Sequence, residues 1–293
     1  MTTTNIPAVR SANTSRRAPL RALLLLLPAY ALLLGVFAYP VLESMWRSVS
    51  EPEPGFGNYA WVFDNPQNID VILRTFGNAL TATLVCLVLA YPYAFLMTVV
   101  GSRARVVLVV ISLIPFWTSL MIRTFAWIVL LQDTGLVNSL LGLVGIGPLQ
   151  MLRTNLGVLI GLSQVLMPFM VLPLYAVMSG IDGRLVAAAR SLGARPSVAF
   201  LRIFVPLSLP GVAAGSLMVF IQALGFYVTP ALLGSPSDSM LAQSIYAQVS
   251  SLLQWGRGGA LGVILLVATF VMLGLVALVL RGTRRKGISV EVF

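Results

Sequence analysis

Few side chains in this 293-residue chain are equipped for covalent or acid–base chemistry. It has no His and one Cys, among 19 basic and 9 acidic residues. Cys86 lies in the apolar run from Thr83 to Ala90 and reads as a small buried hydrophobe. A lone Cys excludes an internal disulfide, a thiolate zinc site and a CxxC redox pair. No Gly-x-x-x-x-Gly-Lys-Ser/Thr phosphate loop, HExxH or Gly-x-Ser-x-Gly occurs. Met178-Ser179-Gly180, the nearest thing to a nucleophile motif, has no His to activate it. A membrane enzyme is therefore disfavoured, and no cofactor or metal is expected. Non-covalent chemistry remains. A basic, alanine-rich segment, Asp182 to Pro206, suits the docking of a partner. Arg123 is a single charge inside an apolar run. Gln222, Tyr227 and Thr229 are polar and lie beside the breakers Gly225 and Pro230.

The elements that must position these residues are membrane spans. Hydrophobic residues make up 58% of the chain and charged residues 10%, with mean hydropathy +0.94. A soluble domain needs far more charge. A bilayer core about 30 Å thick takes about 20 apolar residues per helix. Uncharged stretches place six transmembrane helices at about 22–42, 75–100, 106–131, 155–179, 211–233 and 258–280. The stretch from Arg202 to Asp238 is too long for one span, and Pro206 and Pro210 fall in its first part. The fifth helix is therefore placed from Gly211. The domain reading is a polar, disordered cytoplasmic N-terminus at 1–18, one membrane domain at 19–282 and a basic cytoplasmic tail at 283–293. Arg16, Arg17 and Val36-Phe37-Ala38 give the start a signal-peptide look. The apolar run is long for a signal, and it is kept as the first span. The loop from Arg47 to Arg74, with its prolines, glycines, Trp46, Tyr59 and Trp61, reads as irregular and interface-hugging.

Charge fixes the orientation. Thr134 to Leu152 is also uncharged, but it holds four glycines and Pro148. Counting it as a seventh span would put the basic cluster Arg184, Arg190, Arg195 and Arg202 outside. With six spans and both termini in the cytoplasm, that cluster joins Arg103, Arg105 and the two basic ends on the inner side, as the positive-inside rule requires. Leu136 to Val144 is then a short helix at the outer surface. The net charge of +10 reflects inner-loop charge and not a nucleic-acid partner.

Within the inner loop, Asp182 suits an N-cap, Gly183 to Leu192 a short helix, Gly193 a left-handed stop and Pro196 the first position of a second short helix. Pro206 and Pro210 would then bend the chain back into the membrane. This segment resembles the EAA loop of ABC importer permeases. Ala188, Ala189, Gly193, Ile203 and Pro206 fall at the motif's spacing. Ala187 stands where Glu is usual, and Val205 where Leu is usual. Pro115-Phe116-Trp117-Thr118-Ser119, Ile122-Arg123-Thr124-Phe125-Ala126-Trp127 and Phe226-Tyr227-Val228-Thr229-Pro230 resemble the spermidine/putrescine-type permeases.

The resemblance covers roughly residues 20–282. It implies an all-α, type I ABC importer permease fold in the bacterial inner membrane. Ala187, Ala188, Ala189, Arg190, Gly193, Ile203 and Pro206 would form a coupling helix and its return, docked on a cytoplasmic ABC ATPase dimer that binds the ATP. A second permease subunit, by resemblance a paralogue, and a periplasmic substrate-binding protein complete the machine.

Arg123, Gln222, Tyr227 and Thr229 are the candidate pathway residues. A broken helix near mid-membrane is tolerated only beside protein or a cavity. Asn78, Ser163 and Gln164 read as interhelical hydrogen-bond formers. Polyamine binding should use carboxylates or aromatic faces, and no acid lies deep in a span. Polyamines, opines and amino-acid-like solutes therefore all stay open. An ion-coupled secondary transporter would need an intramembrane Asp, Glu or His. A membrane scaffold is the residual alternative.

Overall fold

The computed structural model describes the backbone of residues 18–285 and the side chains of residues 26–275. The polar segment 1–17 and the tail from 286 onward lie outside the described residues. Among the described residues every regular element is a helix. Five rods are long and apolar enough to cross a membrane: Leu26–Ser50, Pro66–Val99, Asn155–Ser179, Pro196–Leu224 and Trp255–Leu275. A bent pair, Ser102–Trp117 and Leu120–Leu130 at 99° to each other, is long and apolar enough for a sixth when its two helices are taken together.

In chain order, α1 (Ala18–Leu33) continues through a π-helical turn into α2 (Tyr39–Ser50). Then come α3 (Gly57–Asp64), α4 (Pro66–Val99), α5 (Ser102–Trp117), α6 (Leu120–Leu130), α7 (Leu136–Leu143) and α8 (Asn155–Ser179). After α9 (Gly183–Ser191) and α10 (Pro196–Ala199), a second π-helical turn, Phe200–Phe204, leads into α11 (Val205–Leu224). α12 (Val228–Leu233), α13 (Leu241–Tyr246) and α14 (Trp255–Arg285) complete the chain.

The expected spans are present, and α8 has the bounds read from the sequence. Four readings need correction. Helices run past the charges taken as their ends: α4 begins at Pro66, and α2 continues to Ser50. Asn65 caps α4 by accepting from the Gln67 amide at 3.1 Å, and Pro66 suits the first helical position. The charges thus do not mark the helix ends. For the same reason the loop from Arg47 to Arg74 is mostly helical, with an irregular stretch only between α2 and α3. The third span is broken, because Thr118 and Ser119 are extended between α5 and α6. Finally, the second helix of the inner loop is not separate. Pro196–Leu224 is one rod, so the fifth span starts well before Gly211.

Pro206 does not break that rod because the turn before it is wide. The Val205 amide bonds to Phe200 O, five residues back. This spacing relieves the clash of a proline ring with the carbonyl four residues back. The first rod repeats the arrangement: the Tyr39 amide bonds to Leu34 O just before Pro40.

The core is a bundle of α4, α8 and α11, each packed against the other two. Association in lipid relies on close packing and not on a hydrophobic drive. Gly211 and Gly215, one turn apart on α11, provide that closeness. A Cβ at either would stand 3.1 Å from the Pro173 or Met170 carbonyl oxygen of α8. The other flank joins α14 to α2, α3 and α13. There Val62, Leu241, Ala260 and Leu261 form a smaller buried cluster.

Candidate functional site

Two regions hold the residues singled out from the sequence. The first is the end of the bundle where α8 meets α9. Asp182 Oδ1 accepts from the Arg184 amide at 2.9 Å and caps α9. Gly193 ends the helix at φ +87°, a conformation that glycine adopts at little cost. Arg195 and Pro196 start the return. The helix stands outside the bundle. Ala187, Ala188 and Arg190 are exposed and Ala189 is half-buried. Leu192 is 90% exposed. The outward surface is thus small residues with an apolar tip, flanked by arginines. Ile203 and Pro206 are half-buried on the returning rod.

Sequence reasoning missed what holds this surface in place. Phe200 and Phe204 stack with centroids 5.4 Å apart. Phe95 of α4 meets them edge-on, at 5.2 Å from Phe200 and 5.1 Å from Phe204. Tyr91 meets Phe200 at 6.5 Å, and its hydroxyl pairs with Ser208 Oγ at 2.8 Å. Val186 packs inward from α9 against the core. Arg105 donates to the Met97 and Val100 carbonyls, closing the end of α4. The i,i+4 spacing of Phe200 and Phe204 was a visible signal. Their partners, a hundred residues earlier, were not. Edge-to-face aromatic contacts thus join the segment after α9 to α4 and α11.

The second region lies deeper, where two broken helices meet. The chain is broken between α5 and α6 at Thr118–Ser119 and between α11 and α12 at Gly225–Tyr227. α6 packs on α12 and both pack against α8. Phe116 and Leu120 beside the first break line one pocket with Phe226 of the second. The pocket is a cavity of about 190 Å³, and Arg123 and Phe169 line it as well. Arg123 Nε is buried without a hydrogen-bond partner. The structure thus brings Arg123 beside the break that holds Tyr227. Gln222 and Tyr227 lie on the exposed side of that break. Tyr227 packs on Tyr246 with centroids 4.8 Å apart. Thr229 faces the other way. It is 1% exposed, and its methyl would stand 2.5 Å from a Cβ at Gly161 of α8.

Among the interhelical candidates, Gln164 accepts from Trp127 Nε1 at 3.5 Å. Asn78 Nδ2, Ser163 Oγ and Thr229 Oγ1 are buried without protein partners. Cys86 donates to the Ser163 carbonyl at 3.4 Å in the packed core. Among the described residues no cluster of three metal-ligating side chains occurs.

The model of the family "Binding-protein-dependent transport system inner membrane component" matches residues 90–285. The chain is 35% identical over 218 residues to the spermidine/putrescine transport system permease protein PotB of Escherichia coli (strain K12), covering 74% of this chain and 79% of that protein. It is 34% identical over 106 residues to PotC, a permease protein of the spermidine/putrescine transport system of the same strain, covering 36% and 40%. Its fold matches a chain of a bacterial alginate ABC transporter, solved in complex with an alginate-pentasaccharide-bound periplasmic protein. The TM-score is 0.71 at 21% identity, covering 89% of this chain and 93% of that one.

Proposed function

We infer this chain's partners and solute from one premise: it belongs to the binding-protein-dependent transport system inner membrane component family. It is accordingly a multi-pass inner-membrane permease subunit of an ATP-driven importer, not an enzyme.

The finer reading is that α9 is the coupling helix and faces the cytoplasm. Both termini lie on that side, as the clustering of Arg184, Arg190, Arg195 and Arg202 requires. A separate ABC ATPase dimer receives α9 in a groove, where Ala187, Ala188 and Ala189 allow close approach and Arg190 meets polar or acidic groups. Closure of the ATPases on ATP moves α9. Gly193 and the aromatic contacts at Phe200 pass the movement to α4 and α11. The two breaks at Ser119 and Gly225 are then the places where the bundle reshapes between outward and inward openings. Solute arrives from a periplasmic binding protein and passes Arg123, Gln222 and Tyr227, with Thr229 holding α12 against α8. It is a small organic solute of the polyamine, opine or amino-acid class. The similarity to PotB favours a polyamine. The second half of the pathway is a paralogous permease, in keeping with the separate PotB and PotC chains.

The observation that carries this reading is a capped, glycine-terminated helix standing exposed at the basic end of the bundle. The test is co-expression with the neighbouring transport genes. The chain should retain an ATPase through purification. Gly193→Val should cut uptake at least tenfold, since a β-branched residue resists positive φ. A chain that never retains an ATPase, or full uptake with Gly193→Val, refutes the coupling role.

A further inference from the structure

We infer that Arg123 is one half of an ion pair across the pathway, and that a carboxylate of the second permease subunit is the other half. The inference rests on the importer reading. Arg123 is the only charged side chain lining the cavity between the two helix breaks; Phe116, Leu120, Phe169 and Phe226 are among the apolar residues that close it. Its Nε is buried and unpartnered. Among the described residues, the ion pairs are those of Arg47 with Glu43 and Glu51. The next acid along the chain, Asp133, lies beyond the far end of α6, about 15 Å on at the helical rise per residue. A charge held in apolar surroundings without a counter-ion is costly.

The surface beside Arg123 is apolar and uncovered. Met121, Ile122 and Phe125 of α6 are 50%, 69% and 56% exposed, and Met218 of α11 is 51% exposed. This apolar face borders the breaks and is uncovered by the chain itself. In a pathway built between two permeases it is a face that the second one meets. A guanidinium fork there selects a carboxylate, which it can hold with two hydrogen bonds. The solute cannot fill the same role if it is cationic, because an uncompensated Arg123 would repel it. A fixed carboxylate removes that barrier and ties the two subunits at the moving breaks.

The test uses the complete complex: this chain, the second permease encoded beside it, the ATPase and the cognate binding protein, reconstituted in vesicles. In a Cys86→Ala background, Arg123→Cys is combined with Cys at each membrane-embedded Asp or Glu of the second permease, and copper phenanthroline is added. One pairing should give an interchain disulfide. In parallel, Arg123→Glu should lower binding-protein-stimulated ATP hydrolysis at least tenfold. Changing the partner acid to Arg should restore it to within threefold. Absence of any crosslink, failure of every charge swap, or full activity in Arg123→Gln overturns the pair. So does an Arg123→Gln defect that varies with the anionic lipid of the vesicle, which points to a headgroup instead. A wild-type complex without ATP hydrolysis overturns the importer reading, while the crosslink reports on the pair by itself.

Discussion

Where α2, α3 and the start of α14 meet, Arg47 pairs with Glu43 at 2.5 Å and with Glu51 at 3.5 Å, and lies 5.2 Å from the Trp255 ring centroid. Arg257 covers Trp61 at 4.6 Å. Asn58 Nδ2 donates to the Ser48 and Glu51 carbonyls at 2.9 and 2.6 Å, and Ser48 Oγ pairs with Tyr59 at 2.8 Å. At the α9 end the polar bonds lie behind the helix, where Tyr91 pairs with Ser208 and Arg105 donates to the Met97 and Val100 carbonyls. α9 itself is held by one cap, one glycine and the aromatic cluster, and its outer surface is bare. Directional polar bonds fix one geometry, since each is lost on a small displacement. Aromatic contacts slide and re-form at modest cost. The laced end is built to keep its shape, and on the proposed coupling role the α9 end would be the one that changes it.

Three substitutions test this contrast. The largest effect is expected from Phe200→Ala. It removes the ring that meets Phe95, Phe204 and Tyr91, and large-to-small changes of this kind cost about 3 kcal/mol. Uptake should fall about tenfold while the ATPase is still retained on purification. Equal loss of uptake and ATPase binding would mean that the ring only supports the fold. Next is Asn58→Ala, which orphans two carbonyls at the laced end at a cost of about 2 kcal/mol. It should lower the melting temperature in detergent and leave the ATP hydrolysed per solute unchanged. A change in that ratio would show that the laced end also moves. The smallest effect is expected from Arg47→Ala. Its ion pairs are about one-third exposed, and such surface pairs contribute little. A shift of about 1 °C in melting is expected, and a collapse of the fold would show that the lacing acts as one cooperative unit.

The legible parts of the sequence were those with local causes. α8 could be bounded because the charges Arg153 and Asp182 bracket its uncharged run, and in the structure Thr154 Oγ1 accepts from the Gly157 amide and caps it. α9 was legible from Asp182, Gly193 and Pro196, whose backbone preferences act within a few residues. The break after Pro115 was not legible. Pro92, Pro168, Pro173 and Pro210 all lie inside unbroken helices, so proline carries the same signal whether or not the rod parts. Packing on α8, which no short window of sequence displays, decides between them. Tyr227 and Thr229 show the same limit: they are two residues apart in sequence, yet one is exposed and the other faces α8.

The wide turn at Phe200–Phe204 has a consequence for phase. An α-helix advances about 100° per residue, and a π-helical turn holds one residue more than the regular helix would. That extra residue sets the azimuth of everything after it. Deleting one residue there would rotate Gly211 and Gly215 by about 100°, off the surface of α8, and present bulkier neighbours to the Met170 and Pro173 carbonyls. The rod would keep its length and composition and lose its seat. The turn serves as an angular index between the α9 segment and the span that follows it.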